Sequence, residues 1–323
     1  MRILALLLLA GPLLADPAAL LREADAAFRK RRWTPARALY EQAYQEAIEA
    51  KHRTIAVEAS AQVARCYLLT KRANDGRPWL EKAKGLASES DPVGWSRYLS
   101  VLGRFYWKEE KLPDATRTFT AMYEFCVKTG QFDRAVDAAH MVAITGTAQE
   151  QIAWAKKGIA AAVKGGHEGW LGPLWNNLGV THQELGDWKS ALDCYRNARE
   201  YHWRLGTEVN KLAADWAVGM ALRETGDVER SMQWLRPVLA WAERLDAEKS
   251  DRTHSEWVGL ACRELGYAQM DQFKRDKRLE RIVEAQKLLK RAHTLLKNAN
   301  MHQWDPKAWK QLNERIAALK NPK

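Results

Sequence analysis

The sequence lacks the residue sets that usually mark an active site or a metal site. Only four cysteines occur among 323 residues, and they lie at least 60 residues apart, too far for a metal knuckle or a redox pair. The eight histidines are scattered, and no zinc-protease, serine-hydrolase or phosphate-loop motif is present. We therefore predict a non-catalytic protein that needs no cofactor and no metal.

Long hydrophobic runs are also missing, except at the start of the chain. Met1-Arg2 precedes an almost wholly apolar stretch from Ile3 to Leu14, which Ala15-Asp16-Pro17 follows. This pattern predicts a secretory signal peptide over residues 1–15, cleaved after Ala15, because the apolar run is short for a bilayer span. We expect export to the periplasm or the extracellular space. The alternative is a packed first helix in a cytoplasmic protein, and in neither case do we expect a later transmembrane segment.

The chain as a whole is basic, and its basic residues are spread over the sequence. The formal net charge is +11 and the isoelectric point is near 9.4. Such a balance predicts weak attraction to anionic partners. Because the basic residues are mixed with glutamate and aspartate along the chain, a solvated helical surface explains most of them.

What the sequence does contain is a repeat of fixed period. Gly179, Gly219 and Gly259 lie 40 residues apart in segments that align without a gap. Around the first of them, Trp175, Leu178, Gly179 and His182 are spaced as W-x2-L-G-x2-Y, and Ala191, Tyr195 and Ala198 follow. This pattern resembles the tetratricopeptide repeat (TPR), a helix–turn–helix unit in which small residues let two helices approach closely.

The resemblance implies an all-α fold, a right-handed α-solenoid of about seven TPR-like helix–turn–helix repeats with a C-terminal capping helix. The small residue of each first helix is found at Ala24, Ala64, Gly103, Ala139, Gly179, Gly219 and Gly259. We expect the solenoid to span residues 16–303. A capping helix and tail should occupy 304–323, where Asp305-Pro306 precedes an apolar stripe at helical spacing.

The seventh repeat departs from the pattern. Asp271, Arg275 and Arg278 stand where the second helix should show small and apolar residues. We expect either longer helices or an insertion in the turn near 272–278. Cys66 and Cys126 fall in neighbouring repeats and are the only pair that a disulfide could join. Four buried thiols acting as small apolar side chains are the preferred interpretation.

In TPR proteins the first helices of successive repeats line a concave groove, and ligands usually lie there. The resemblance therefore implies groove positions one and four residues after each small residue and three before it. The basic and aromatic part of the predicted groove comprises Arg65, Arg97, Arg104, Trp107, Lys108 and His140. The later part, which becomes more apolar, comprises Asn176, Val180, Trp216, Met220, Arg223, Leu260 and Arg263.

This predicted groove suits an extended peptide or protein segment with an acidic or carboxylate end and an apolar stretch. Arginine binds carboxylates bidentately, and tryptophan supplies contact area at low entropic cost. The chaperone-tail clamp of some TPR proteins is disfavoured, because Val180 stands where a clamp asparagine would be expected. Nucleic acid is not expected, since the groove positions vary too freely for a code repeated in each unit.

Three alternatives stay open at this point. In the first alternative, the groove residues form only a solvated surface and bind no ligand. In the second the protein is a cytosolic peptide-sensing regulator. In the third it is a glycan-binding or enzymatic accessory with a site composed from several repeats.

Overall fold

The structure is a computed structural model that describes residues 15–144, 146–248 and 254–320. The predicted signal peptide therefore lies, apart from Ala15, outside the described residues. Sixteen α-helices and one short 3₁₀ turn at Glu168–Trp170 form this described part, which contains no β-strand. The all-α prediction is confirmed. Among the same residues, no helix is long and apolar enough to cross a membrane.

The helices divide between two compact units, residues 1–165 and 166–323. The repeat pattern did not predict this division. The first unit contains α1 (Pro17–Arg29), α2 (Trp33–Glu49), α3 (Arg53–Leu69), α4 (Ala73–Leu86), α5 (Pro92–Lys108), α6 (Leu112–Lys128), α7 (Phe132–Ala143) and α8 (Ala148–Gly165). The second contains α9 (Leu171–Glu184), α10 (Trp188–Leu205), α11 (Glu208–Glu224), α12 (Val228–Ala247), α13 (Ser255–Asp276), α14 (Leu279–Asn298), α15 (Met301–Trp304) and α16 (Pro306–Ala318).

Consecutive helices within each unit pack as antiparallel pairs joined by short turns, which is the predicted TPR-like arrangement. We refer to the odd-numbered helices α1 to α13 as A helices and to the even-numbered helices α2 to α14 as B helices. The predicted small residues lie where the two helices of a pair meet. A Cβ atom added to Gly103 would lie 2.7 Å from the ring of Phe119, and one added to Gly179 would lie 2.6 Å from the ring of Tyr195. Only glycine allows these rings to approach so closely.

Among the described residues, six turns from A to B helices share one geometry, in which a single residue adopts the left-handed conformation. In the second unit this residue is Gly186 (φ +77°), Gly226 (φ +89°) or, after α13, Lys277 (φ +55°). In the first unit the same position holds Arg31, Lys71 and Glu110, with φ between +58° and +61°. Side chains other than glycine adopt this conformation at some cost, so the first unit keeps charged residues at its turns against local preference.

The last repeat is longer than the others because its A helix is longer. Helix α13 runs for 22 residues to Asp276, which decides between the two expectations for this region. The predicted N-cap of the C-terminal capping helix α16 is confirmed, since the Asp305 side chain accepts a hydrogen bond from the Ala308 amide at 2.9 Å. Leu312 and Leu319 of the capping region are buried in the same core as α13 and α14.

All four cysteines are free and buried, in agreement with the preferred interpretation. Burial raises the pKa of the Cys66 and Cys126 thiols to about 12, so both stay protonated near neutral pH. They act as small apolar side chains in the packing between helices.

Candidate binding surfaces

The A helices of the first unit bring together four of the residues predicted for the groove. Arg65 lies on α3, Arg97 and Arg104 on α5, and His140 on α7. Electrostatic interactions link Arg65 with Arg97 and Arg104, and Arg104 with His140. The structure adds residues that the sequence did not single out, and these determine how much of the positive charge is available to a ligand.

Arg104 is held by a carboxylate from the next A helix. Its Nη2 atom lies 2.7 Å from Asp137 Oδ1, and its Nη1 atom donates to the Ser100 carbonyl at 2.9 Å. Ser100 Oγ also donates to Asp137 Oδ2 at 3.2 Å. Burial alone would raise the pKa of Asp137, but the positive charges of Arg104 and Arg65 outweigh it and hold that pKa at about 2.

A second carboxylate, Glu58 of α3, holds two further arginines. Arg97 Nε donates to Glu58 Oε1 at 3.3 Å, and Arg134 of α7 donates to the same oxygen. Both arginines are therefore joined to α3 through one acceptor. We call Arg65, Arg97, Arg104 and Arg134, together with Glu58 and Asp137, the arginine cluster.

Arg65 is the member of the arginine cluster that forms no ion pair with any described residue. Its guanidinium lies over the Phe28 ring, 4.9 Å from the centroid, and its Nε atom is buried without a hydrogen-bond partner. Burial and the neighbouring charge of Arg104 lower its pKa to about 10, so the side chain is still charged at neutral pH. With four arginines and two carboxylates, the cluster carries an excess positive charge, and Asp133 is a further carboxylate that acts on Arg134.

The remaining predicted residues of the first unit lie at its periphery. Trp107, at the end of α5, is 43% exposed, and Lys108 beside it is exposed. His140 is partly buried, and this burial lowers the pKa of its imidazole, which therefore favours the neutral form. Its neighbours include both Asp137 and Arg104, whose charges act in opposite directions.

In the second unit the two predicted arginines are buried and neutralised. Arg223 contacts Glu264 at 3.0 Å, Glu224 at 2.6 Å and Asp271 at 3.3 Å. Arg263 contacts the other Glu264 oxygen at 2.8 Å. Burial opposes the charge of Arg223, but these carboxylates raise its pKa. Arg223 thus joins α11 to α13, whereas Arg263 pairs with its neighbour on α13, and neither presents a free guanidinium to a ligand.

The predicted apolar part of the groove is mostly occupied by core packing. Met220 and Leu260 are 5% and 6% exposed and belong to the hydrophobic core. Trp216 is partly buried between core clusters and contacts Trp257 edge-on. Val180 is 38% exposed. Of these four side chains, only Val180 is exposed enough to meet a ligand without leaving the core.

Asn176 lines a depression between α9, α10 and α11. The depression has a volume of about 340 Å³. Four of its lining side chains carry an amide or imidazole group: Asn176, Asn177, His202 and Asn210. The other lining residues are Pro173, Val209, Ala213 and Ala214. Burial lowers the pKa of His202, which keeps this imidazole neutral and able both to donate and to accept a hydrogen bond.

The carboxylates that hold the arginines carry little signal in the sequence. Asp137 and Glu58 resemble the many other acidic residues on helix surfaces, and only stacking of the repeats places them against arginines 33 to 76 residues away. Asp271 did carry a signal, because it breaks the repeat pattern. The structure shows the reason for this break, since Asp271 pairs with both Arg223 and Arg315.

No protein-family model matches the sequence, and the comparison with curated proteins gives no match. Solved structures do match. A signal-transduction ATPase from Pyrococcus horikoshii with a TPR sensor is 15% identical with a TM-score of 0.65; the match covers 89% of this chain but 43% of that one. The apo form of RapI is 9% identical with a TM-score of 0.66, over 93% and 85% of the two chains.

A third match is the C-terminal part of a TPR repeat-containing protein from Cytophaga hutchinsonii. It is 14% identical with a TM-score of 0.55, over 89% of this chain and 96% of that one. At these identities the comparisons concern the fold. The predicted resemblance is confirmed at that level: the chain has the all-α solenoid fold of the tetratricopeptide-repeat proteins.

Proposed function

We propose that this protein is an exported, non-catalytic scaffold that binds a peptide or protein segment against the A helices of its first unit. The observation that carries the proposal is Arg65, a partly buried guanidinium without a carboxylate partner in a cluster of excess positive charge. A carboxylate of the partner, from an acidic side chain or a chain end, would supply the missing acceptor. Such a charge-assisted hydrogen bond is among the stronger polar contacts in proteins.

The rest of the arginine cluster supports this role by positioning the site. Asp137 and Glu58 hold Arg104, Arg97 and Arg134 in fixed orientations, so a ligand would meet a surface that is already ordered. Trp107 lies exposed at the end of the same helix α5 and would provide apolar contact area. In the second unit, considered by itself, Asn176 is half-buried and Val180 is exposed.

A binding experiment with single substitutions tests the site. Partners are captured with the full chain and identified by mass spectrometry, and the bound segment is then synthesised and titrated. Arg65→Gln should weaken binding at least about 10-fold, the effect of losing one charged hydrogen bond. Arg117→Gln, which removes an exposed arginine of the same unit, is the matched control and should leave the affinity unchanged.

Two results would contradict the proposed site. One is an Arg65→Gln variant that binds the segment as tightly as the natural protein. The other is a segment whose affinity does not change when its carboxylates are converted to amides. Thermal unfolding of both variants, measured in parallel, separates lost binding from lost folding.

Export is tested independently of binding. We expect the mature chain to begin at Asp16 and to be recovered from an envelope or secreted fraction. The N-terminal residue of the purified native protein decides the matter. An intact Met1 in the cytosol would overturn export and favour a cytosolic peptide-sensing regulator, while leaving the Arg65 site untouched.

A further inference from the structure

A second surface of the first unit lies where its A helices end and its B helices begin. Arg77, in the first half of α4, pairs with Glu109 at the end of α5, and Arg65 of α3 lies over Phe28 near the end of α1. The turns between α1 and α2, α3 and α4, and α5 and α6 therefore follow one another along one edge of the unit. We call residues 29–32, 69–77 and 107–112 the turn edge.

The turn edge is strongly basic. Its acidic residues are Asp75, Glu109 and Glu110, against nine basic ones: Arg29, Lys30, Arg31, Arg32, Lys71, Arg72, Arg77, Lys108 and Lys111. The run from Arg29 to Arg32 is exposed, and none of its four side chains pairs with a described carboxylate. Free, adjacent and exposed cations of this kind attract an extended anionic partner.

Large apolar side chains are exposed at the same turns. Leu69, Trp107 and Leu112 are 43% to 44% exposed, and Ile144, at the turn between α7 and α8, is 45% exposed. The exposed apolar residues thus lie next to the cations. Basic residues mixed with exposed aliphatic side chains and an interfacial tryptophan are typical of surfaces that rest on a lipid bilayer.

The turns from B to A helices provide an internal comparison. Residues 48–53, 86–91 and 128–133 contain three basic side chains, Lys51, Arg53 and Lys128, and four acidic ones, Glu49, Glu89, Asp91 and Asp133. Within these ranges Ile48 is the single exposed large hydrophobic residue. Both kinds of turn belong to the same repeats, so the repeat architecture does not account for the difference between them.

We propose that the turn edge is a peripheral docking surface for a bilayer that contains anionic phospholipid. The cations would face the lipid phosphates, while Leu69, Trp107 and Leu112 would enter the headgroup region. Nucleic acid fits the surface less well, because its phosphate backbone offers nothing to the exposed aliphatic side chains. The two surfaces share Trp107 and Lys108, but the lipid proposal does not depend on Arg65, and the substitutions that test it leave Arg65, Trp107 and Lys108 unchanged.

Vesicle co-sedimentation of the purified mature chain tests the proposal. The chain should bind vesicles of phosphatidylcholine mixed with phosphatidylglycerol, should not bind phosphatidylcholine alone, and should be released by salt. The triple variant R29E/K30E/R32E should lower the partition coefficient at least about 100-fold, since each cation near the surface contributes about one factor of five.

The matched control makes the same change of charge elsewhere on the unit. K51E/K84E/K128E alters three exposed lysines at the other ends of the helices and should retain most of the vesicle binding. The variant L69S/L112S keeps every charge and should lower the partition coefficient about 10-fold because it removes apolar insertion. Circular dichroism of each variant confirms that the helices are intact.

Three outcomes would overturn the proposal. Equal loss in the two charge variants would show that net charge, and not the turn edge, controls binding. Equal binding to neutral and anionic vesicles would exclude the cations as the cause. Binding of a single-stranded oligonucleotide without binding of anionic vesicles would assign the surface to nucleic acid.

Discussion

Arg223 of α11 and Glu264 of α13 form an ion pair that is almost completely removed from solvent. The Arg223 Nη2 and Glu264 Oε2 atoms are 3.0 Å apart, and the two side chains are 4% and 2% exposed. Glu264 also accepts from Arg263 on its other oxygen, so each carboxylate oxygen has an arginine partner. The pair joins successive A helices, and its value depends on both partners being present.

Replacing Glu264 with glutamine should therefore destabilise the protein severely. The substitution leaves Arg263 without a carboxylate partner among the described residues and removes one of the three carboxylates around Arg223, so we expect the free energy of unfolding to fall by about 3–5 kcal/mol. Denaturant unfolding followed by circular dichroism measures it. Glu208→Gln breaks an exposed pair with Lys211 and should cost less than about 1 kcal/mol. Similar losses in the two variants would mean that burial does not determine the strength of the pair.

This pair illustrates what the sequence could predict and what it could not. The 40-residue period predicts the helix pairs and their small packing residues, and Asp305-Pro306 with the apolar stripe after it predicts the capping helix, because each depends on local pattern. It also places Arg223 and Arg263 one repeat apart on A helices, which is correct. Whether a guanidinium there faces a ligand or a neighbouring carboxylate depends on side chains about 40 residues away. The period alone does not fix that geometry, so it could not distinguish a free Arg65 from a neutralised Arg223.

Asp137 should make the stability of the first unit depend on pH under acidic conditions. Its folded pKa is held at about 2, below the ordinary 3.8, so ionised Asp137 stabilises the fold fully above about pH 4. That stabilisation, about 2 kcal/mol, should be lost as the pH falls from about 4 to about 2. Asp137→Asn should be less stable at neutral pH and should lack this component of the acid transition.

The control for Asp137 is Asp114, which pairs with Arg117 at an exposed position of the same unit. Asp114→Asn should leave both the neutral-pH stability and the acid transition close to those of the natural protein. Urea titrations at a series of pH values report both quantities. An Asp137→Asn variant with an unchanged acid transition would show that Arg104 and Arg65 do not hold the carboxylate.

The glycines of the A helices should tolerate alanine only where there is room for a Cβ atom. In Gly179→Ala this atom would lie 2.6 Å from the Tyr195 ring, so the ring must shift and we expect a loss of about 1–3 kcal/mol. Gly85 lies near the end of α4 with no atom within 4 Å of such a Cβ. Gly85→Ala should stabilise the protein by about 0.5 kcal/mol, since alanine restricts the unfolded chain. Thermal unfolding temperatures that move in the same direction would contradict this reading of the packing.

The B helices of the first unit carry a contact that recurs two repeats apart. Tyr44 of α2 meets Trp79 of α4 edge-on at 5.3 Å, and Tyr123 of α6 meets Trp154 of α8 at the same distance. In each case a lysine three residues after the tryptophan lies 3.9 Å above its ring. These clusters explain part of the high tryptophan content, because Trp79 and Trp154 each join two neighbouring B helices.

A double-mutant cycle should reveal this contact as a coupling energy. Tyr123→Leu and Trp154→Leu, alone and together, should give an interaction of about 0.5–1.5 kcal/mol beyond the loss of buried area. The cycle between Tyr44→Leu and Trp154→Leu is the matched control, because these rings belong to different clusters. It should be additive within about 0.5 kcal/mol. Equal coupling in both cycles would indicate that the substitutions destabilise the whole unit. The aromatic contact would then not be a local interaction that stabilises the packing of two B helices.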